Sequence, residues 1–163
     1  MRKLVSLSFI LLLALFSSSY DVYAGKLFCY RVVMPDTVSQ ASIKRNSDEF
    51  SAAYKNLLLG DKTEAQKKFE DLVSKYQWDA ASRYELARLY VESDRFHDAF
   101  GLMKEAITLD DKNVYYFEFM AQVAEAIGDS DMLLSSLERL TTLKPEKGQY
   151  QMALSQILAK NKE

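Results

Sequence analysis

Tyr84-Glu85-Leu86-Ala87-Arg88-Leu89-Tyr90, then Asp94-Arg95-Phe96, then Ala99, Met103 and Ala106-Ile107 is the stretch on which the fold turns. Apolar residues recur at steps of three and four on both sides of Asp94, the period of an amphipathic helix and not of a strand. Two antiparallel helices are expected, broken near Asp94. Ala87, Ala99 and Ala106 are small where the axes would approach. Leu86, Tyr90, Phe96 and Met103 are large enough to fill the space between turns.

Working outward, the same pattern returns at a spacing of 34: Gly60, Asp94 and Gly128 are so related, and so are Ala65, Ala99 and Leu133. Phe69, Met103 and Leu137 form another column, as do Leu72, Ala106 and Leu140, and Gln77, Asp111 and Pro145. Upstream in each unit Ala53, Ala87 and Ala121 recur, preceded by Ala52, Leu86 and Met120. A fixed period of this length marks a stack of helical hairpins, each too small to bury its own apolar face. Local chemistry agrees. Gly60 and Gly128 take the left-handed conformation that ends a helix at little cost, and Asp61 and Asp129 then cap the next helix. Asp61 with Glu64 has capping-box spacing. Asp79 and Asn113 are good N-caps for the second and third units, and Pro145 ends the last hairpin. Asp94 stands where its counterparts are glycine, so that turn should be strained.

This register resembles the tetratricopeptide repeat (TPR) family, in its exported form. Leu86, Ala87, Tyr90, Phe96, Ala99 and Ala106 fall on its signature positions. The first unit keeps Gly60-Asp61, Ala65 and Phe69, with Asn56 where an aromatic is usual. The third keeps Ala121, Gly128-Asp129 and Pro145, with Leu133 and Leu137 replacing alanine and an aromatic. The resemblance implies an all-α, right-handed α-solenoid of three helix-turn-helix repeats, 46–79, 80–113 and 114–147, forming a TPR domain over 46–163. A capping helix over 148–160 would close it, with Tyr150, Leu154, Ile157 and Leu158 inward and Gln151, Ser155, Gln156 and Lys160 in water. The alternative is half of a fourth repeat in a longer array.

Upstream, residues 1–24 read as a secretory signal peptide. Arg2 and Lys3 precede an apolar run from Leu4 to Phe16, and Val22 and Ala24 occupy the positions a signal peptidase inspects, which places cleavage between Ala24 and Gly25. That run is shorter than the ~20 residues a bilayer requires, so no stable membrane span is expected after cleavage. An uncleaved anchor and a lipid anchor on Cys29 are the rivals, the second disfavoured by bulky Phe28. A secreted or periplasmic location is therefore expected. Residues 25–45 read as an extended arm and linker, or as disorder.

Composition narrows the function. Removing residues 1–24 leaves 19 basic and 22 acidic residues from 21 and 23, a net charge of −3 that gives no reason to expect nucleic acid. One cysteine, Cys29, and one histidine, His97, supply neither a triad nor a metal site, and the 5 glycines form no phosphate loop. No enzyme, cofactor or metal is expected, a hydrolase using Cys29 or His97 being the alternative from another class. The resemblance implies instead a protein–protein interaction scaffold of the cell envelope, or a docking module of a larger exported assembly, holding a partner in the concave surface of each unit's first helix. The positions so carried over are Phe50, Tyr54 and Leu58, then Tyr84, Arg88 and Glu92, then Tyr115, Phe119, Gln122 and Glu125. Aromatics are anchors at such surfaces. Tyr84 and Phe119 have the alternative of packing between units. Only one cation, Arg88, occupies the positions that hold acidic tails in some family members, and Glu85, Glu92, Glu118 and Glu125 surround it. The expected partner is another protein or peptide segment that is apolar, aromatic or basic.

Overall fold

The structure, a computed structural model, describes residues 38–160. The cleavage site at Ala24 and Gly25, Cys29 and the arm up to residue 37 lie outside the described residues. Within them the chain forms seven α-helices: α1 (Gln40–Leu58), α2 (Lys62–Lys75), α3 (Ala80–Glu92), α4 (Phe96–Leu109), α5 (Val114–Ile127), α6 (Ser130–Leu143) and α7 (Gly148–Lys160). Each helix packs chiefly on the next in sequence, so α1–α2, α3–α4 and α5–α6 are stacked hairpins and α7 closes the row. That is a helical solenoid.

The expected linker ends earlier than its sequence suggested. Ser39 caps α1 by accepting the Ser42 amide, so 40–45 are helix and not extended arm. The stretch is polar because it is mostly exposed, and it holds no glycine or proline to stop the helix running back from Asn46.

All three hairpin turns are built alike. Gly60 at φ 82°, Asp94 at φ 57° and Gly128 at φ 78° are left-handed. The following amide reaches back to the carbonyl of Asn56, Tyr90 or Ala124, at 3.0, 2.8 and 2.9 Å. These bonds satisfy carbonyls that a helix end would otherwise leave open. Asp61 and Asp129 cap α2 and α6 through the amides of Glu64 and Met132. Only half of the Asp61–Glu64 capping box forms, because the Asp61 amide is already committed to Asn56. Asp79 and Asn113 cap α3 and α5 as expected. Arg95, standing where the other units have aspartate, gives α4 no side-chain cap.

The repeating columns make the core. Ala53, Ala65, Phe69, Ala87, Ala99, Met103 and Ala106 are fully buried, and Leu72, Leu137 and Leu140 nearly so. Burial at roughly 25 cal/mol per Å² of apolar surface makes this core the main favourable term. Ala52 is exposed while its counterparts Leu86 and Met120 are buried; among the described residues no unit precedes the first one. In α7, Tyr150, Leu154 and Ile157 pack on Phe117, Leu137 and Leu140, as expected. Leu158 does not join them and is 42% exposed. Tyr150, Leu154 and Ile157 lie along one line of the helix, whereas Leu158 is turned about 80° from Tyr150.

Candidate functional site: the face of the first helices

The first helix of each unit places most of the candidate residues, and they separate into groups. Phe50 stacks on Tyr54, with ring centroids 6.0 Å apart, and sets its edge against Phe69 at 5.5 Å. Both belong to the margin of the first core cluster. Across the next junction Tyr84 lies 5.2 Å from Tyr116 and 5.5 Å from Phe119, the latter edge-on. The Arg88 guanidinium stands 5.9 Å above the Tyr84 ring. Tyr84 and Phe119 are half-buried, so they bridge adjacent units and also contribute to the surface. Tyr115 beside them is 68% exposed.

Leu58, Glu92 and Glu125 sit apart from that cluster, toward the hairpin turns. Leu58 is 74% exposed next to exposed Leu59. Glu92 meets Lys62 at 2.9 Å, and the two line a cleft of about 370 Å³ between α2 and α3 with Gln66, Lys67 and Leu89. Glu125 borders a smaller cleft with Gly128, Leu133 and Ile157. Gln122 is exposed on α5, between the aromatic cluster and Glu125 in sequence.

Charge at this face is largely compensated, contrary to the acidic surface the sequence suggested. Glu85 receives Arg88 Nη1 at 3.0 Å. Glu118 accepts from the Tyr150 hydroxyl, and Lys147 Nζ stands 3.9 Å from it. With Glu92 held by Lys62, Glu125 is the carboxylate of this group without an ion pair among the described residues. Packing brings Lys62 to Glu92 and Lys147 and Tyr150 to Glu118 across about 30 residues of sequence, whereas Arg88 reaches Glu85 within one helical turn. Burial pushes the Glu85 carboxyl above its ordinary range, and Arg88 pulls it back only in part. Burial likewise raises the Tyr84 hydroxyl and pushes Tyr116 up to about 12, with Asp110 and Asp79 adding to the latter. Both tyrosines remain protonated donors at neutral pH.

Tyr116, Tyr150 and Lys147 were not among the expected site residues. A spacing rule could have found the tyrosines: Tyr84–Tyr116 and Glu118–Tyr150 are the same structural pair one unit apart, each separated by 32 residues. His97 is exposed at the start of α4. Among the described residues no group of three or more His, Cys, Asp or Glu is arranged to hold a metal, and no helix is long and apolar enough to cross a membrane.

No family model and no curated protein matches the chain. Solved structures do. The first TPR of Spaghetti (RPAP3), bound to the HSP90 peptide SRMEEVD, superposes with a TM-score of 0.63 at 14% identity, covering 74% of this chain and 95% of its own. The type III secretion translocator chaperone SycD of Yersinia enterocolitica gives 0.63 at 17% identity, covering 80% and 92%. PcrH, in complex with the chaperone binding region of PopD, gives 0.61 at 16% identity, covering 78% and 99%. The fold of this chain is the tetratricopeptide-repeat solenoid.

Proposed function

We propose that this protein is a non-catalytic scaffold of the cell envelope that grips a segment of another protein on the face of α1, α3 and α5. The observation that carries the reading is the Tyr84–Tyr116–Phe119 cluster, in which half-buried Tyr84 and Phe119 pack with buried Tyr116 and are flanked by exposed Tyr115, with the neighbouring charges Glu85 and Arg88 paired internally. Rigid aromatic rings anchored in a packed scaffold lose little entropy when a ligand covers them, and a partner need not strip water from free charges there. Solved structures of the same fold carry bound peptides, among them an HSP90 peptide on RPAP3 and a PopD region on PcrH, which supports a peptide ligand. An acidic tail suits this face poorly, because Arg88 is engaged by Glu85. An apolar or aromatic segment suits it better.

Export rests on Arg2-Lys3, the Leu4–Phe16 run and Val22-Tyr23-Ala24. The full chain expressed in its host with p-benzoylphenylalanine at Tyr115 should crosslink to a protein on irradiation, and Tyr84→Ala should remove the crosslink without unfolding the chain. A crosslink unchanged by Tyr84→Ala argues against this face. The mature N-terminus read by mass spectrometry should be Gly25; an intact Met1 in the envelope fraction refutes cleavage.

A further inference from the structure

The columns of the repeat continue into α7. Gly148 stands 34 residues after Val114, so Tyr150, Leu154 and Ile157 take the places of Tyr116, Met120 and Val123. Like them, they pack on the second helix of the preceding unit. α7 is thus a first helix in register, and what its other side should meet can be read from α3 and α5. There the positions of Gln151, Ser155 and Leu158 hold Arg83, Ala87 and Tyr90, or Phe117, Ala121 and Ala124. They face the second helix of their own unit. Arg83 bonds Glu105 and Ala87 packs with Ala99 and Met103, all on α4, while Phe117 packs with Leu137 and Leu140 on α6. Ala87, Ala121 and Ala124 are 0%, 8% and 0% exposed. In α7 the same three positions are exposed, and so is Met152 beside them. The register therefore fixes the form of what belongs there: a helix antiparallel to α7.

The side chains of α7 say which helix. Lys160 is its only charged residue, so the Gln151–Ser155–Leu158 side carries no charge, as the core of an interface requires. Ser155 is small at the column where helix axes approach most closely. Its hydroxyl already donates to the Gln151 carbonyl at 2.8 Å, so covering it strands no donor. Met152 and Leu158, 66% and 42% exposed, lie one step of three residues before and after Ser155, about 60° to either side of it. Two such helices set antiparallel about a two-fold axis at Ser155 bring Met152 of each copy level with Leu158 of the other. A patch complementary to itself suits a second copy of the chain. We propose that α7 pairs antiparallel with α7 of a second copy, making the protein a two-fold dimer. A single helix pair falls short of the ~1,000 Å² of a stable interface, so the dimer is weak, dissociating at roughly 10–100 μM. It is apart at the dilution of unfolding experiments, and it stands independently of the peptide-holding reading.

Sedimentation equilibrium of the full chain should fit a monomer–dimer equilibrium. Met152→Lys and Leu158→Glu should each weaken the dimer at least about tenfold, with circular dichroism unchanged because both positions are exposed in the monomer. The two-fold sets position 152 against position 158 of the other copy. The double variant Met152→Lys with Leu158→Glu should therefore regain dimers through two intermolecular ion pairs, and lose them again in high salt. Tyr115→Glu, on the first-helix face, should leave the dimer as it is. Monomers alone at about tenfold above the expected range overturn the proposal, as do dimers that survive both single substitutions. A double variant that stays monomeric overturns the two-fold arrangement, and the proposal with it. Oligomers that keep growing with concentration would mean that α7 meets the exposed Ala52 side of α1 in an open-ended stack, which overturns it as well. So does a monomeric wild type whose p-benzoylphenylalanine at Leu158 crosslinks in cells only to a different protein.

Discussion

Asp79 shows how much one residue can carry in a short repeat. It caps α3, orients Asn46 and ties Ser82, all at the boundary of two units. Asp79→Ala strands buried donors as well as removing the cap, so it should lower stability by about 2–4 kcal/mol in urea unfolding. Asp94 is the opposite case. Its left-handed backbone is strained by ~1–2 kcal/mol for an ordinary residue, and glycine gives back ~0.5–1 kcal/mol in chain entropy. Asp94→Gly should therefore be neutral to about 1 kcal/mol stabilising, seen as a higher urea midpoint at constant slope. Glu85 gives a pH signature. Its carboxyl is raised in the folded state by burial, so the ionised form is disfavoured there relative to the unfolded chain. That penalty is absent below the unfolded value near 4.5 and enters in full as pH rises through the folded value. Glu85→Gln should be more stable than wild type at pH 7, and the difference should vanish in acid. The cap role of Asp79 was legible in the sequence because capping is local. Its bond to Asn46 was not, because the partner lies 33 residues upstream in another unit.

Among elements, the helices the repeat dictates were legible and the two at the ends less so. Columns at a spacing of 34 need a neighbour on each side to give them meaning, and among the described residues α1 and α7 each have one side only. Hence the polar start of α1 read as linker, and Leu158 read as core. A pair of substitutions tests the α7 assignment. Leu154→Glu puts a charge against the cluster of Phe117, Leu137 and Leu140 and should cost about 2–3 kcal/mol, whereas Leu158→Glu should stay within about 0.5 kcal/mol, both by thermal or urea unfolding. Equal effects would mean that α7 is rotated from the position described.

At the scale of the molecule, helices touch chiefly their neighbours in sequence, so stability is nearly a sum of local interfaces. Native-state hydrogen exchange should find the highest opening free energies in α3–α5 and the lowest in α1 and α7; uniform protection would mean one cooperative unit. The aromatic character of the first-helix face was legible from residue type and period. The loss of its acidity was not, because the compensating cations lie on another helix (Lys62), in the turn before α7 (Lys147) or at a helical step (Arg88) that sequence order alone does not pair. One comparison between the joints has a mechanical meaning. At the first corner Arg83, 3% exposed, bonds the carbonyls of Tyr76 and Asp79 and the carboxylate of Glu105. At the second corner the equivalents of Arg83 and Glu105 are Phe117 and Arg139, and Arg139 holds the Asp111 carbonyl and carboxylate from the more exposed side. Salt reaches the second tie far more readily than the first. Raising ionic strength should thus soften the second joint and leave the first stiff, so that the solenoid's bending resistance becomes uneven along its axis.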